Sequence, residues 1–179
     1  MAVRPIQPLE LIELADELAG RNSGAGKPKT IRLRRSISSA YYAVFHELSF
    51  RATSRLLGST GWGSTEAAVT RWITHTDLAD LTTAVATGTG RGAKALKLAL
   101  GVVHPDVTRI AQAFVDLQDA RHRADYDDTF DVSKAVALSF VDLAGDAVRR
   151  SGALIDADDA TYSRFLALAM GGVKVARTR

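Results

Sequence analysis

From Lys29 to Leu57 the chain runs without a glycine or a proline, and its apolar residues recur at helical spacing. At 1.5 Å per residue such a helix extends on the order of 40 Å, enough to form the spine of a domain. No segment of useful length alternates apolar and polar residues as a half-buried strand does, and no repeat of fixed period is present. A long helix in a chain of 179 residues must bury a face against other helices. The expected fold is therefore all-α: one helical bundle of about five to seven helices over residues 1–172, followed by a basic, mobile tail over 173–179.

Breakers place the other elements. Pro8 to Ala19 carries Leu9, Ile12, Leu14, Ala15, Leu18 and Ala19 close to one face and stops at Gly20. Residues 21–28 form a Gly/Ser/Pro loop, and a glycine-rich stretch from Gly58 to Gly63 ends the long helix. Ser64 or Thr65 is placed to cap the next helix. The region from there to Thr87 is less regular, with Thr70, Thr74, Thr76, Thr82 and Thr83 scattered through it. A short helix is expected over Lys94 to Leu100, ending at Gly101. Pro105 suits the first turn of a helix reaching Tyr126. Val132 to Arg150 is amphipathic, with Val136, Phe140, Leu143 and Val148 as core candidates. Asp156 to Asp159 can start a last helix from Ala160 to Met170, closed by Gly171 and Gly172.

The chain has no cysteine, which excludes disulfides, thiolate metal sites and cysteine nucleophiles. Its longest apolar stretches, such as Leu98 to Val103, are too short to span a bilayer, and no secretory pattern is visible at the N-terminus. The expected compartment is the cytoplasm, with no membrane partner. The net charge of +3 is modest but uneven. Lys27, Lys29, Arg32, Arg34, Arg35, Arg51 and Arg55 face one acid, Glu47, whereas residues 101–160 hold twelve Asp and six basic residues. Such a basic stripe either holds phosphates or pairs with the acidic half, within the bundle or across a dimer.

Two segments carry polar groups where a plain core helix would carry Leu or Ile. In the first, Ile37, Tyr41, Val44, Leu48 and Ala52 share one face and read as core. Arg35, Ser39, Tyr42, His46 and Ser49 share a second face, so a cation, hydroxyls, a phenol and an imidazole line one strip. That strip is costly to bury unpaired, and it suits a wet cleft or a dimer groove. His46 is the candidate acid/base, because imidazole titrates near neutral pH; the plainer role is a structural histidine. In the second segment, Val107, Ile110, Phe114, Leu117, Arg121 and Ala124 form an apolar stripe with a guanidinium set inside it. Arg121 either clamps phosphate or pairs with Asp125, Asp127 or Asp128 at the helix end.

The run Ser-x-Ala-Tyr-Tyr-Ala-x-Phe-His, Ser38 to His46, resembles the first signature of one branch of the HEPN superfamily. Arg-x-x-Ala-Asp-Tyr, Arg121 to Tyr126, resembles its second. These are small helical proteins of prokaryotic toxin–antitoxin and defence systems. The resemblance implies a bundle of four or five helices that dimerises, with two copies of the second signature meeting in a shared cleft. It implies metal-independent cleavage of RNA, in which an Arg and a following His support attack of the ribose 2′-hydroxyl on the adjacent phosphate. This chain departs from that motif: the positions where the His is expected hold Tyr126, Asp127 and Asp128, and His122 points about 100° away from Arg121.

Other signals fail. Gly24-Ala25-Gly26-Lys27 lacks the first glycine and the hydroxyl of a phosphate loop, and no parallel sheet precedes it. Gly88 to Lys94 has neither the spacing nor a strand before it. The four histidines show no paired spacing, and the Asp-rich run 125–131 lacks the glycine of a calcium loop, so no metal and no cofactor is expected.

The sequence expectation is thus a HEPN-like homodimer acting on RNA, with a cognate antitoxin or defence-system subunit as a further partner. Arg121, His46 and Tyr126 are its candidate catalytic residues, and Arg35, Ser39, Tyr42 and Asp125 its candidate substrate-binding residues. The alternative is a non-catalytic subunit that binds RNA, nucleotide or a partner protein. In a third, purely structural reading Arg121, Asp125 and Tyr126 fix dimer register.

Overall fold

The structure, a computed structural model, describes residues 5–23, 26, 28–90 and 92–172. Lys27 of the basic stripe and the tail 173–179 lie outside the described residues. Among the described residues there are eight α-helices and no strand. In chain order they are α1 (Pro8–Ala19), α2 (Thr30–Leu57), α3 (Ser64–Thr70), α4 (His75–Thr87), α5 (Ala93–Leu100), α6 (Pro105–Tyr126), α7 (Lys134–Asp156) and α8 (Ala160–Ala167). A π-helical turn, Leu168–Gly172, follows α8. None of these helices is long and apolar enough to cross a membrane.

The expected count of five to seven is corrected to eight. The extra helix comes from the threonine-rich region, which breaks into α3 and α4 instead of forming one element. Thr74 causes the restart: its Oγ1 accepts the N–H of Asp77 at 3.1 Å, satisfying one of the free donors of α4. At α3, Gly63 takes the capping position instead of Ser64 or Thr65, and the Glu66 carboxylate accepts the Gly63 N–H at 2.8 Å. Ser133 and Asp159 cap α7 and α8 in the same manner as Thr74, through the N–H groups of Val136 and Tyr162. Helices α1 and α2 end on Gly20 (φ 75°) and Gly58 (φ 62°), left-handed positions that glycine adopts at least cost.

Helix α2 is the spine. It packs against α1, α6 and α7 along its length and touches α3 and α8. Its expected core face is fully buried: Ile37, Tyr41, Val44, Leu48 and Ala52. Val107, Ile110, Phe114 and Leu117 of α6 meet it, joined by Leu78 and Leu81 of α4 and by Leu96 and Leu100 of α5. A smaller cluster lies under the N-terminal half of α2, where Leu33 and Ile37 pack with Ala120, Ala124, Phe130, Val132 and Ala137.

Two core faces differ from expectation. On α7 the buried residues are Ala137, Val141, Ala144, Ala147, Ser151 and Leu154, while Val136 is exposed and Phe140, Leu143 and Val148 are only half-buried. On α1 Ala15 and Ala19 are buried, whereas Leu9 and Leu14 face outward. Both helices present alanines to α2, which lets the backbones approach closely and moves the larger side chains to the flanks.

The uneven charge is largely absorbed within the bundle. The Arg34 guanidinium donates to the carbonyls of Ala124, in the last turn of α6, and of Asp127 and Phe130 in the loop that follows. Arg55 reaches Asp158. Arg51 pairs with the buried Glu47 at 2.8 Å, which also accepts the Ser151 hydroxyl. The basic stripe is therefore less a continuous phosphate track than a set of ties to the rest of the fold.

This packing predicts that Phe114→Ala costs about 3–5 kcal/mol of stability, while Val136→Ala changes it by under about 0.5 kcal/mol. Urea denaturation of the two variants checks both the α2–α6 core and the corrected face of α7.

Candidate functional site

The polar edge of α2 meets the last turns of α6, and Asp125 is where they join. Its carboxylate accepts the Ser38 hydroxyl at 2.8 Å, and Arg35 Nη1 lies 3.7 Å from the same oxygen. The other oxygen lies 2.7 Å from Arg121 Nε, one helical turn back on α6. That Nε–H is not aligned along the contact, so charge rather than a well-directed hydrogen bond holds the pair. The Asp125 side chain is only 13% exposed, and three partners offset the cost of removing it from water.

Arg121 is half-buried between two phenol rings. Its guanidinium carbon lies 5.8 Å from the centre of the Tyr42 ring and 5.5 Å from that of Tyr126, within cation–π range of both. Its Nη2 makes a long hydrogen bond to the Tyr42 hydroxyl, at 3.4 Å. Burial opposes the Arg121 charge, but the Tyr42 and Asp125 oxygens outweigh it and raise its pKa further. Tyr126 is 67% exposed, with the His122 ring 5.1 Å away on its other side.

The structure brings Arg35, Tyr42, Arg121, Asp125 and Tyr126 into one group of contacts. His46 extends it, with its ring 6.3 Å from that of Tyr42. Ser39 is half-buried on the same edge, but Ser38 is the hydroxyl that reaches Asp125. Ser49 does not belong to a wet cleft. It is fully buried, and its hydroxyl finds no hydrogen-bond partner, so the polar strip runs into the core at that end.

Sequence reasoning missed His75, the first residue of α4. Its ring stacks on Phe45 with centroids 3.9 Å apart, and its Nδ1 is 2.7 Å from the hydroxyl of the fully buried Tyr41. It also lies 5.9 Å from the Tyr42 ring. No local pattern marks it, because its neighbours come from α2. The Ser38 contact was more accessible, since Ser38 lies four residues before Tyr42 and so on the same side of α2.

Burial lowers the pKa of His46, and the nearby His75 lowers it further. Burial also lowers that of His75, with the Arg121 charge adding to the effect. Burial raises the pKa of Tyr41, which therefore remains a neutral phenol. The group thus offers a fixed cation, two imidazoles tuned toward neutrality, and phenols that orient them. Among the described residues no cluster of His, Asp and Glu is arranged to hold a metal ion. No known protein family, no curated protein and no solved structure matches this chain.

Both histidines bind protons less readily folded than at the ordinary value of 6.5. Below that value the unfolded chain takes up more protons, so this contribution to stability is complete above it and is lost as pH falls. Urea denaturation at about pH 7.5 and about pH 5 is expected to show a smaller loss in the His46→Gln/His75→Gln protein than in wild type. An equal loss in both proteins contradicts the assignment.

Proposed function

We propose that this chain is a HEPN-like helical protein that acts on RNA in a toxin–antitoxin or antiviral defence setting, as a metal-independent endoribonuclease. The observation that carries this reading is the contact between Arg121 and Tyr42: residues 79 positions apart, one from each HEPN-like segment, share one site. The site holds the two kinds of group such a reaction needs, a cation for the phosphate and an imidazole for the proton.

In the proposed reaction the scissile phosphate binds the Nη edge of Arg121, whose Nε edge is already engaged by Asp125. His46 takes the proton from the ribose 2′-hydroxyl. The 2′-oxygen attacks phosphorus, the bond to the 5′-oxygen breaks, and a cyclic phosphate remains. Tyr42 orients the guanidinium, and the exposed Tyr126 ring offers a surface on which a base can stack. Arg35, Ser39 and Asp125 line the approach on the side of the α2 N-terminus. Two copies of the chain meeting along the second signature, with a cognate antitoxin or defence subunit as partner, complete the proposal.

One observation favours the second reading, a non-catalytic module that binds RNA, nucleotide or a partner. Arg121 is already neutralised by Asp125, and a carboxylate beside the cation disfavours an incoming anion.

Incubation of the purified protein with a mixed RNA pool in EDTA separates the two. Cleavage predicts cyclic-phosphate ends, reduced on the order of 100-fold or more in Arg121→Ala. Steeply salt-dependent binding with no product supports the binding module, and neither cleavage nor binding removes RNA as the ligand.

A further inference from the structure

The proposed reaction moves two protons, and His46 handles only one. A proton leaves the 2′-hydroxyl, and another must reach the departing 5′-oxygen, which is a poor leaving group as an alkoxide. In the second signature the position expected to supply an imidazole holds Tyr126, Asp127 or Asp128. The fold brings an imidazole close enough to feel the Arg121 charge from another element, α4.

We infer that His75 is the general acid of this site, giving its Nε2 proton to the 5′-oxygen as the phosphorus–oxygen bond breaks. The inference rests on the ribonuclease reading above and deepens it.

Three features of His75 fit that role. First, the ring is held on two sides. It stacks on Phe45 at 3.9 Å and is tied through Nδ1 to the Tyr41 hydroxyl at 2.7 Å. Tyr41 is itself fully buried, so it is a fixed anchor. In the protonated ring both nitrogens carry hydrogen, so Nδ1–H donates to the Tyr41 oxygen and Nε2–H is the one left for substrate, and the residue as a whole is exposed. Second, its position is shared with the other proposed groups. The Tyr42 ring lies 5.9 Å from His75 and 6.3 Å from His46, and Tyr42 touches Arg121. Both imidazoles thus lie near the phenol that contacts the proposed phosphate-binding cation. Third, its surroundings set when it can act. Burial, the Arg121 charge and the N-terminal end of α4 all lower its pKa, so the protonated ring is a stronger acid than a free imidazolium, and the step belongs to the acidic side of the pH profile, where His75 still carries both protons. The titratable groups facing it include Tyr41, Tyr42 and His46 from α2 and Arg121 from α6.

The protons balance. His46 ends the step protonated, His75 ends it neutral with Nδ1–H still on Tyr41, and the products are a 2′,3′-cyclic phosphate and a free 5′-hydroxyl. Water returns the two imidazoles to their starting states by proton exchange.

The test uses the full chain and two versions of one short RNA, one natural and one with sulfur in place of the bridging 5′-oxygen. A thiolate leaves without being protonated, so the sulfur substrate needs no general acid. On the natural RNA, His75→Gln and His46→Gln are each expected to lose on the order of 100- to 10,000-fold in rate. His75→Phe, which retains a ring to stack on Phe45, is expected to lose as much as His75→Gln. On the sulfur substrate the two His75 variants recover most of the lost rate and His46→Gln does not. If wild type cuts natural RNA and the His75 variants cut it equally well, the inference fails while the ribonuclease reading stands. Loss in the His75 variants without recovery on sulfur, or recovery by His46→Gln instead, also overturns it. If wild type cuts neither substrate, the ribonuclease reading itself fails, and the role of His75 falls with it.

Discussion

The carboxylate of Asp125 is the interaction on which the candidate site depends. It takes a hydroxyl from Ser38 and a cation from Arg35 on α2, and a second cation from Arg121 on its own helix. Close by, Arg34 of α2 gathers carbonyls from the last turn of α6 and the loop after it. Beneath these two clamps lies a small apolar cluster of Leu33, Ile37, Ala120 and Ala124. The apolar contacts bring α2 and α6 together, but they are non-directional. The hydrogen bonds of Ser38 and Arg34 are directional and set how the two helices are registered at this end.

That register fixes the geometry of the candidate site. Arg121 lies on the same seam as Phe114 and Leu117, so it cannot turn freely into solvent. Asp125 holds its Nε edge, and the rings of Tyr42 and Tyr126 flank it. A cation fixed in this way needs little rearrangement to meet a phosphate, which is the condition for strong electrostatic stabilisation. The same Asp125 contact also weakens the local positive potential. The site is therefore balanced between a phosphate clamp and a structural ion pair, and the two readings of its function follow from that balance.

Much of the fold was legible because its punctuation is local. Gly20, Gly58 and Pro105 mark the ends of α1 and α2 and the start of α6 where the structure has them. The uninterrupted run before Leu57 became the spine, and its core stripe is buried throughout. On α1 the expected face holds at Ala15 and Ala19 but not at Leu9 and Leu14, and the burial face of α7 was not legible, because hydrophobicity favours Phe140 over Ala144, whereas close helix packing favours the alanines. In the site, Tyr42, Arg121 and Asp125 stood out as polar groups on helical seams, and they do come together. His75 did not stand out, since a lone histidine at the start of a threonine-rich helix carries no pattern. Its place is set by Phe45 and Tyr41, thirty or more residues earlier, and only tertiary packing reveals it.

The most direct test of this account is a double-mutant cycle between Ser38 and Asp125, with Ser38→Ala, Asp125→Ala and the double variant measured by urea denaturation. If Asp125 ties α2 to α6, the two changes are non-additive, with a coupling energy of about 0.5–3 kcal/mol. Additive effects would mean that the two helices are held without this junction, and would contradict the claim that it builds the site.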